Sequence, residues 1–198
     1  MAGAEGGAIG ERRRYHHGDL RRDLLRVARE EIARHGANAV SLASLARLAG
    51  VSQPAPYRHF ADRDALLEAV AAEGFEQLTG ELAEATADRG PHDALKAIAL
   101  TYLTFGEANI EIYRLMFASH LTPRASSGGD LDTASGKAFA LLLTALARLS
   151  SPDSLDDDAY LLWAQLHGLV MLKADGFVTR SLGRFVERSG LLPGRLPT

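Results

Sequence analysis

Residues 41–52, Ser41-Leu42-Ala43-Ser44-Leu45-Ala46-Arg47-Leu48-Ala49-Gly50-Val51-Ser52, read as a short helix, a tight turn and the opening of a second helix. Ser41 stands where an N-cap oxygen can accept an amide hydrogen from the first turn, and the helix then runs from Leu42 to Leu48. Two short helices that cross steeply need a small side chain where one presses on the other, and Ala46 fits that place. The turn favours a residue free to take positive φ, and Gly50 follows four positions later. Leu45, Ala49 and Val51 supply apolar packing on either side. Ser52 caps the second helix, whose exposed N-terminus can face phosphate or base edges. The same spacing also suits a helical hairpin with no nucleic-acid role, so the flanking residues decide.

Upstream, Leu20, Leu24, Val27, Ala28 and Ile32 recur at helical spacing among arginines and glutamates. They predict an amphipathic helix over about 18–35, ended by Gly36 in the left-handed conformation. Downstream, the helix opened by Ser52 is expected to end near Phe60, and Asp62 caps a long helix carrying Leu66, Leu67, Val70 and Phe75. Further helices are predicted over about 91–107, 109–120, 132–150, 155–176 and 178–189. Arg89-Gly90-Pro91, Ser126-Ser127-Gly128-Gly129 and Ser150-Ser151-Pro152-Asp153 divide them. No segment carries β alternation, and no internal repeat is found. The expected fold is all-α, about nine helices, with a three-helix head and a C-terminal helical bundle. Pro54 and Pro56 complicate the second helix of the head. Pro54 falls in the first turn, where its missing N–H costs nothing, but Pro56 removes the first intrahelical bond and biases Ala55 away from helical angles. A distorted or tightened helix start is expected.

Composition narrows the function classes. The chain has 198 residues, 46% of them hydrophobic, enough for a packed core. It contains no cysteine, which excludes disulfides, thiolate metal sites and a cysteine nucleophile. No apolar run approaches the ~18 residues of a membrane span. The first residues, MAGAEGGAIGERRR, place arginines after a glycine-broken stretch, the wrong order for a secretory signal, and a cytoplasmic location is expected. The formal charge of −3 is divided unevenly. Residues 1–63 hold 11 basic and 7 acidic side chains, a net +4, and residues 64–198 hold 11 and 18, a net −7. A basic head on an acidic body points to a polyanion as partner of the head alone.

The segment Tyr57-Arg58-His59-Phe60-Ala61-Asp62-Arg63-Asp64-Ala65-Leu66-Leu67 completes a pattern that closely resembles the TetR family of repressors. The resemblance runs from Tyr15-His16-His17-Gly18-Asp19-Leu20 through Ser41-Leu42, Ala46 and Ala49-Gly50-Val51-Ser52 to Tyr57-Arg58-His59-Phe60, Arg63 and Leu66-Leu67. It implies a head over 15–63, preceded by a flexible basic arm over 1–14. A ligand-binding and dimerisation domain follows over 64–198. In that frame Ser41 offers its hydroxyl to a phosphate, and Ser52 caps the recognition helix. Gln53, Ala55 and Arg58 lie on or beside the face that enters the major groove, where Gln reads adenine and Arg reads guanine. Tyr57 and His59 are expected to contact phosphate, as is Arg63 at the start of the following helix. Tyr57 could equally be buried with only its hydroxyl exposed, and Phe60 is expected in the core. Arg12, Arg13 and Arg14 either lie in a minor groove or along phosphates, or form a solubilising tail. His16 and His17 lack a third ligand, so no metal is expected.

In the C-terminal part, Tyr102, Phe105, Tyr113, Met116, Phe117, Trp163, His167 and Met171 recur at helical spacings. They are read as bundle core or as lining of a ligand pocket. Trp163, His167 and Gly168 resemble the Trp-His-Gly signature of one C-terminal class of TetR-like repressors, with Gly168 allowing a close helix approach. No Ser or Asp partner can be placed beside His167, so catalysis is not expected, and neither is a cofactor. The family resemblance implies a homodimer through the last two helices, rich in Leu169, Val170, Leu172, Phe177, Leu182, Phe185 and Val186. It also implies a palindromic double-stranded DNA operator and an unknown small-molecule effector, with no membrane partner. The alternative is a DNA-binding protein without a small-molecule effector, regulated by a partner or serving an architectural role.

Overall fold

The computed structural model describes residues 20–118, 121 and 128–188. Among these residues the chain is helical throughout, in eight α-helices and two short 3-10 turns, with no strand. The arginines at 12–14 and the histidines at 16 and 17 lie outside the described residues.

Helix α1 (Leu20–His35) buries Leu24, Leu25, Ala28 and Ile32 on one face. Gly36 ends it at φ 76, and a 3-10 turn over Ala37–Ala39 leads to the next helix. Helix α2 (Leu42–Leu48) is closed at both ends by its own sequence. The Ser44 amide donates to the Ser41 hydroxyl at 3.1 Å, and the Ser41 amide donates to the Ser44 hydroxyl at 3.0 Å. That is a reciprocal capping box, with serine where Glu or Gln more often stands. At the other end Gly50 takes φ 67, its amide reaches the Arg47 carbonyl and the Val51 amide reaches the Ala46 carbonyl. These paired bonds make a Schellman turn, which needs the left-handed residue at Gly50.

The expected helix over about 52–60 does not form as an α-helix. The chain there is a series of turns with one 3-10 turn over Pro56–Arg58. The amides of Ala55, Arg58 and His59 each bond to the carbonyl three residues back. An α-helix capped by Ser52 would take its first bond from the amide of residue 56, which is proline and has none, so the tighter pattern prevails. Ala55 nevertheless stays helical at φ −62 and ψ −45, against the bias expected before a proline. This difference accounts for eight α-helices where about nine were predicted.

Asp62 caps α3 (Arg63–Thr86) by accepting from the Ala65 amide at 2.8 Å. At 24 residues, α3 extends about 36 Å and runs out of the head through the body. Helices α4 (Pro91–Ala108), α5 (Ile110–Met116), α6 (Asp130–Leu146), α7 (Leu155–Ala174) and α8 (Gly183–Arg188) complete the chain. Helix α8 starts five residues later than the 178 expected from sequence. Helices α4, α5 and α6 pack on α3, and α7 and α8 pack on α4. One continuous apolar cluster reaches from Leu24 to Val186, so the head and body share a core. Two glycines allow the closest crossings. A Cβ on Gly106 of α4 would lie 2.6 Å from Val170 of α7, and one on Gly74 of α3 would lie 2.9 Å from Met116 of α5. No helix among the described residues is long and apolar enough to cross a membrane.

Candidate functional site

Two regions carry the residues singled out by sequence. The first is the turn segment of the head. Pro56 and Phe60 are buried and anchor it, and the Arg21 guanidinium lies 5.6 Å from the Phe60 ring centroid. Between and before these anchors, Ser52, Gln53, Pro54, Tyr57, Arg58 and His59 are exposed, and Ala55 is half-buried. Tyr57 is 56% exposed, so its ring as well as its hydroxyl is presented outward. Neither Arg47 nor Arg58 is paired with a carboxylate among the described residues. The arginines of α1, by contrast, are engaged: Arg26 pairs with Glu30 at 2.8 Å, and Arg34 with Glu31 at 3.3 Å. Among the described residues of the head, Arg47 and Arg58 thus leave unpaired positive charge on either side of the turn.

Ser41 is exposed, but its hydroxyl is already used in the α2 cap. Arg63 is placed differently from the simple phosphate contact expected of it. Its Nε donates to the Val40 carbonyl at 2.8 Å and a terminal nitrogen donates to the Ala37 carbonyl at 2.7 Å. It clamps the start of α3 to the α1–α2 loop, and a phosphate would share the remaining donors. This positioning role is invisible in sequence, because it depends on carbonyls 23 and 26 residues away.

The second region lies inside the body. A cavity of about 30 Å³ is enclosed by four helices. Phe75, Leu78 and Leu82 come from α3, and Ile98 and Tyr102 from α4. Ser135, Ala138, Phe139 and Leu142 come from α6, and Trp163 and Leu166 from α7. Of the eight pocket residues expected from sequence, Tyr102 and Trp163 reach this lining. Phe105 and Met116 are buried in the core away from it, and Met171 is half-buried on α7. Tyr113, Phe117 and His167 lie one layer behind. The α3 and α6 walls were missed because their leucines read as ordinary core; only the 75, 78, 82 and 135, 138, 142 spacings hint at facing surfaces.

Behind the cavity runs a continuous hydrogen-bonded chain. Trp163 Nε1 donates to the Tyr102 hydroxyl at 3.0 Å. The Tyr102 and Tyr113 hydroxyls are 2.8 Å apart, and the Tyr113 hydroxyl lies 2.8 Å from His167 Nδ1. With a neutral His167 accepting at Nδ1, every member is satisfied: Tyr102 donates to Tyr113, and Tyr113 donates to His167. Burial pushes the Tyr102 phenol up to about 12. Burial, together with the neighbouring Tyr102, raises Tyr113 as well, and burial lowers His167 below its ordinary value. The whole chain is therefore uncharged at neutral pH. Phe117 packs against its end, 4.5 Å from the His167 ring and 5.3 Å from Phe75 of α3. Trp163 and His167, four residues apart on α7, thus share one aromatic layer.

The outer surface of α7 and the segment after it expose apolar groups. Leu161, Leu172 and Phe177 are 61%, 46% and 79% exposed, and nothing lies within 4 Å of a Cβ placed on Gly168. Val170, Leu182 and Val186, expected at a subunit interface, are instead buried within the chain.

Residues 24–70 match the family described as bacterial regulatory proteins, tetR family, and residues 95–189 match the tetracyclin repressor-like C-terminal domain. The C-terminal match carries no Trp-His-Gly designation. No curated protein matches the chain. Among solved structures, a protein of unknown function from Rhodococcus sp. RHA1 is 33% identical, with a TM-score of 0.78 over 88% of this chain and 93% of its own. The TetR family transcriptional regulator PfmR from Thermus thermophilus shares the fold at 16% identity and a TM-score of 0.63, over 82% and 92% of the two chains. So does LfrR from Mycobacterium smegmatis, solved in complex with proflavine, at 20% identity and a TM-score of 0.61 over 90% and 97%. A head built around the Gly50 turn, an exposed ridge from Ser52 to His59 and an all-helical body matched along most of their lengths assign the chain to the TetR family of DNA-binding transcription regulators.

Proposed function

We propose that this regulator is a ligand-responsive repressor that binds a palindromic operator as a homodimer. The observation that carries the reading is the ridge of Gln53, Tyr57, Arg58 and His59, exposed on a turn that buried Pro56 and Phe60 hold in place. Gln53 and Arg58 read base edges, while Tyr57, His59 and the Arg63 nitrogen that lies 3.9 Å from Asp64 meet phosphates. Arg12, Arg13 and Arg14 add phosphate or minor-groove contacts from outside the described residues. Dimerisation through α7 and α8 covers Leu161, Leu172 and Phe177, and brings a partner helix against the open side of Gly168. Two heads about 34–36 Å apart then meet successive major grooves.

Release of DNA follows when a ligand in the body favours a state with different head separation. Support for such coupling comes from α5. Glu111 lies beside Gly36 in the head, and the adjoining Arg114 donates to Asp175 at the end of α7 at 2.7 Å. The test is selection of bound sites from random DNA, followed by affinity measurement on the selected site. Arg58→Ala is expected to cost about 1–3 kcal/mol and relax the preference at one base pair. Unchanged affinity and unchanged preference in both Arg58→Ala and Tyr57→Phe would sink the recognition surface. A second reading, regulation without a small-molecule effector, is favoured by the smallness of the cavity: ~30 Å³ against the roughly 300–1,000 Å³ of ordinary ligand sites.

A further inference from the structure

The cavity enclosed by α3, α4, α6 and α7 has a chemistry that narrows what can occupy it. None of its lining side chains carries a charge; all but Ser135, Tyr102 and Trp163 are hydrocarbon. The Ser135 hydroxyl already donates to the Asp132 carbonyl at 3.1 Å. Trp163 donates to Tyr102, which stands at the head of the Tyr102–Tyr113–His167 chain. No cation waits for a carboxylate, and no carboxylate waits for an amine. A ligand with an ionised end would bury it against hydrocarbon and neutral dipoles, so its ion would have no counter-charge.

The chain can, however, meet a neutral polar group of either sense. As it stands, the Tyr102 oxygen accepts from Trp163 and keeps a lone pair for a ligand hydroxyl. If His167 carries its proton on Nδ1 instead, Tyr113 accepts from it and donates to Tyr102. The Tyr102 hydroxyl hydrogen is then free for a ligand carbonyl. Both arrangements keep every member uncharged, and the switch costs only a change of tautomer at His167.

On the outer side of the cavity, two lining rings, Phe139 and Trp163, pack together, and Tyr160, outside the lining, packs on Phe139. Phe139 lies 4.9 Å from Tyr160 and 5.3 Å from Trp163, centroid to centroid. Tyr160 is exposed, and Phe139 and Trp163 are half-buried, so one face of this wall meets solvent. The enclosed volume is about the share of one or two water molecules. A larger guest therefore needs more room, and the half-buried Phe139 and Trp163 are the lining rings nearest solvent that can give way. The first turn of α6 lies over the head, where Asp130 and Leu131 face His59, Phe60 and Ala61 across a cleft.

We infer that the cavity takes an uncharged, mainly hydrocarbon ligand with a single hydroxyl or carbonyl group. The ligand enters between Phe139 and Trp163 and places its polar group at Tyr102. The inference rests on the ligand-responsive reading above, and gives that reading a chemical class of effector.

Trp163 is the chain's single tryptophan and lines the cavity, so its fluorescence reports occupancy directly. The full-length protein is titrated, below the micellar range and at mildly alkaline pH, with decanol, methyl octyl ketone, decanoate and decylammonium. Decanol and the ketone are expected to give saturable changes, and the two ions to bind about 100-fold more weakly or not at all. A charged chain that binds as tightly as decanol overturns the inference, as does the absence of saturation with both neutral probes. Ala138→Phe fills the cavity and is expected to abolish the response with helical content retained; a folded variant that still binds overturns the site. If Ala138→Phe does not fold, Phe139→Ala decides: it is expected to speed decanol association, and an unchanged rate overturns the proposed route. Operator binding is measured alongside. If decanol binds without releasing DNA, the effector part of the proposed function fails and the ligand class stands. If the neutral probes fail on a protein that still binds its operator, the ligand class fails alone.

Discussion

Removing one oxygen, by Tyr113→Phe, tests whether the Trp163–Tyr102–Tyr113–His167 chain holds the body together as a unit. The ring of Tyr113 is fully buried and packs at 5.9 Å from Tyr102 and 4.9 Å from Phe117, contacts that phenylalanine keeps. Two hydrogen bonds of 2.8 Å are lost. The Tyr102 hydroxyl hydrogen, deep in the core, then has no acceptor, at a cost of about 1–3 kcal/mol. His167 Nδ1 loses its donor at a half-buried position that water can approach, so it adds little. Relief from burying the Tyr113 hydroxyl offsets part of this, and the expected net loss is about 1–2 kcal/mol. Urea unfolding at one fixed protein concentration measures it, since the stability of a protein that self-associates would depend on concentration. A parallel Tyr102→Phe leaves the Trp163 N–H without its acceptor. The double variant is expected to cost less than the two singles together, by roughly 0.5–1.5 kcal/mol, because the link between the two phenols is counted in both. Strict additivity, or a Tyr113→Phe cost under about 0.5 kcal/mol, would refute the connected chain.

Two further expectations concern the same helices. Burial lowers His167 below its ordinary value of 6.5, so the folded protein holds that proton less tightly than the unfolded chain. Its contribution is intact above about pH 6.5 and is lost as the pH falls toward the folded value. Burial raises Glu73, which acts in the opposite sense at lower pH. The measurement is therefore the difference between wild type and His167→Gln, which should flatten the stability profile just below pH 6.5. At the α4–α7 crossing, Gly106→Ala forces a Cβ to within 2.6 Å of Val170 and should destabilise by about 1–3 kcal/mol. Val170→Ala in the same chain should restore most of that in thermal unfolding, and no rescue would mean the contact is not the cause.

Much of the head was legible from local chemistry. Ser41, Gly50 and Asp62 occupy the cap and turn positions their side chains predict, because capping involves residues within three or four places of each other. At the second helix two local rules met, and the tightening expected at Pro56 went as far as a 3-10 turn in place of an α-helix. Ser52 signals a helix start, but Pro56 withdraws the amide that would make the first α-helical bond, and the 3-10 pattern that survives is too short to show as periodicity. Arg63 looked like a surface cation, since nothing in sequence brings it to Ala37 and Val40. The aromatic residues of the body were recognised as a group, yet their division into cavity wall, hydrogen-bonded chain and plain core depends on how α3, α4, α6 and α7 cross. Leu78 and Leu142 line the cavity with no more signal in sequence than Leu24, which does not.

The turn that replaces an α-helix in the head also sets how it can meet its target. Prolines fix φ at two places in the ridge, and the ring of one is held in the core, so the surface arrives with most of its backbone order already present. Such an element gives up little chain entropy on association, but it cannot reshape itself around an unfavourable groove. The adjustment then falls on the double helix, through roll, twist and groove width at steps the side chains never touch. Sequence preference would accordingly be spread beyond the contacted bases, into how readily the intervening DNA bends.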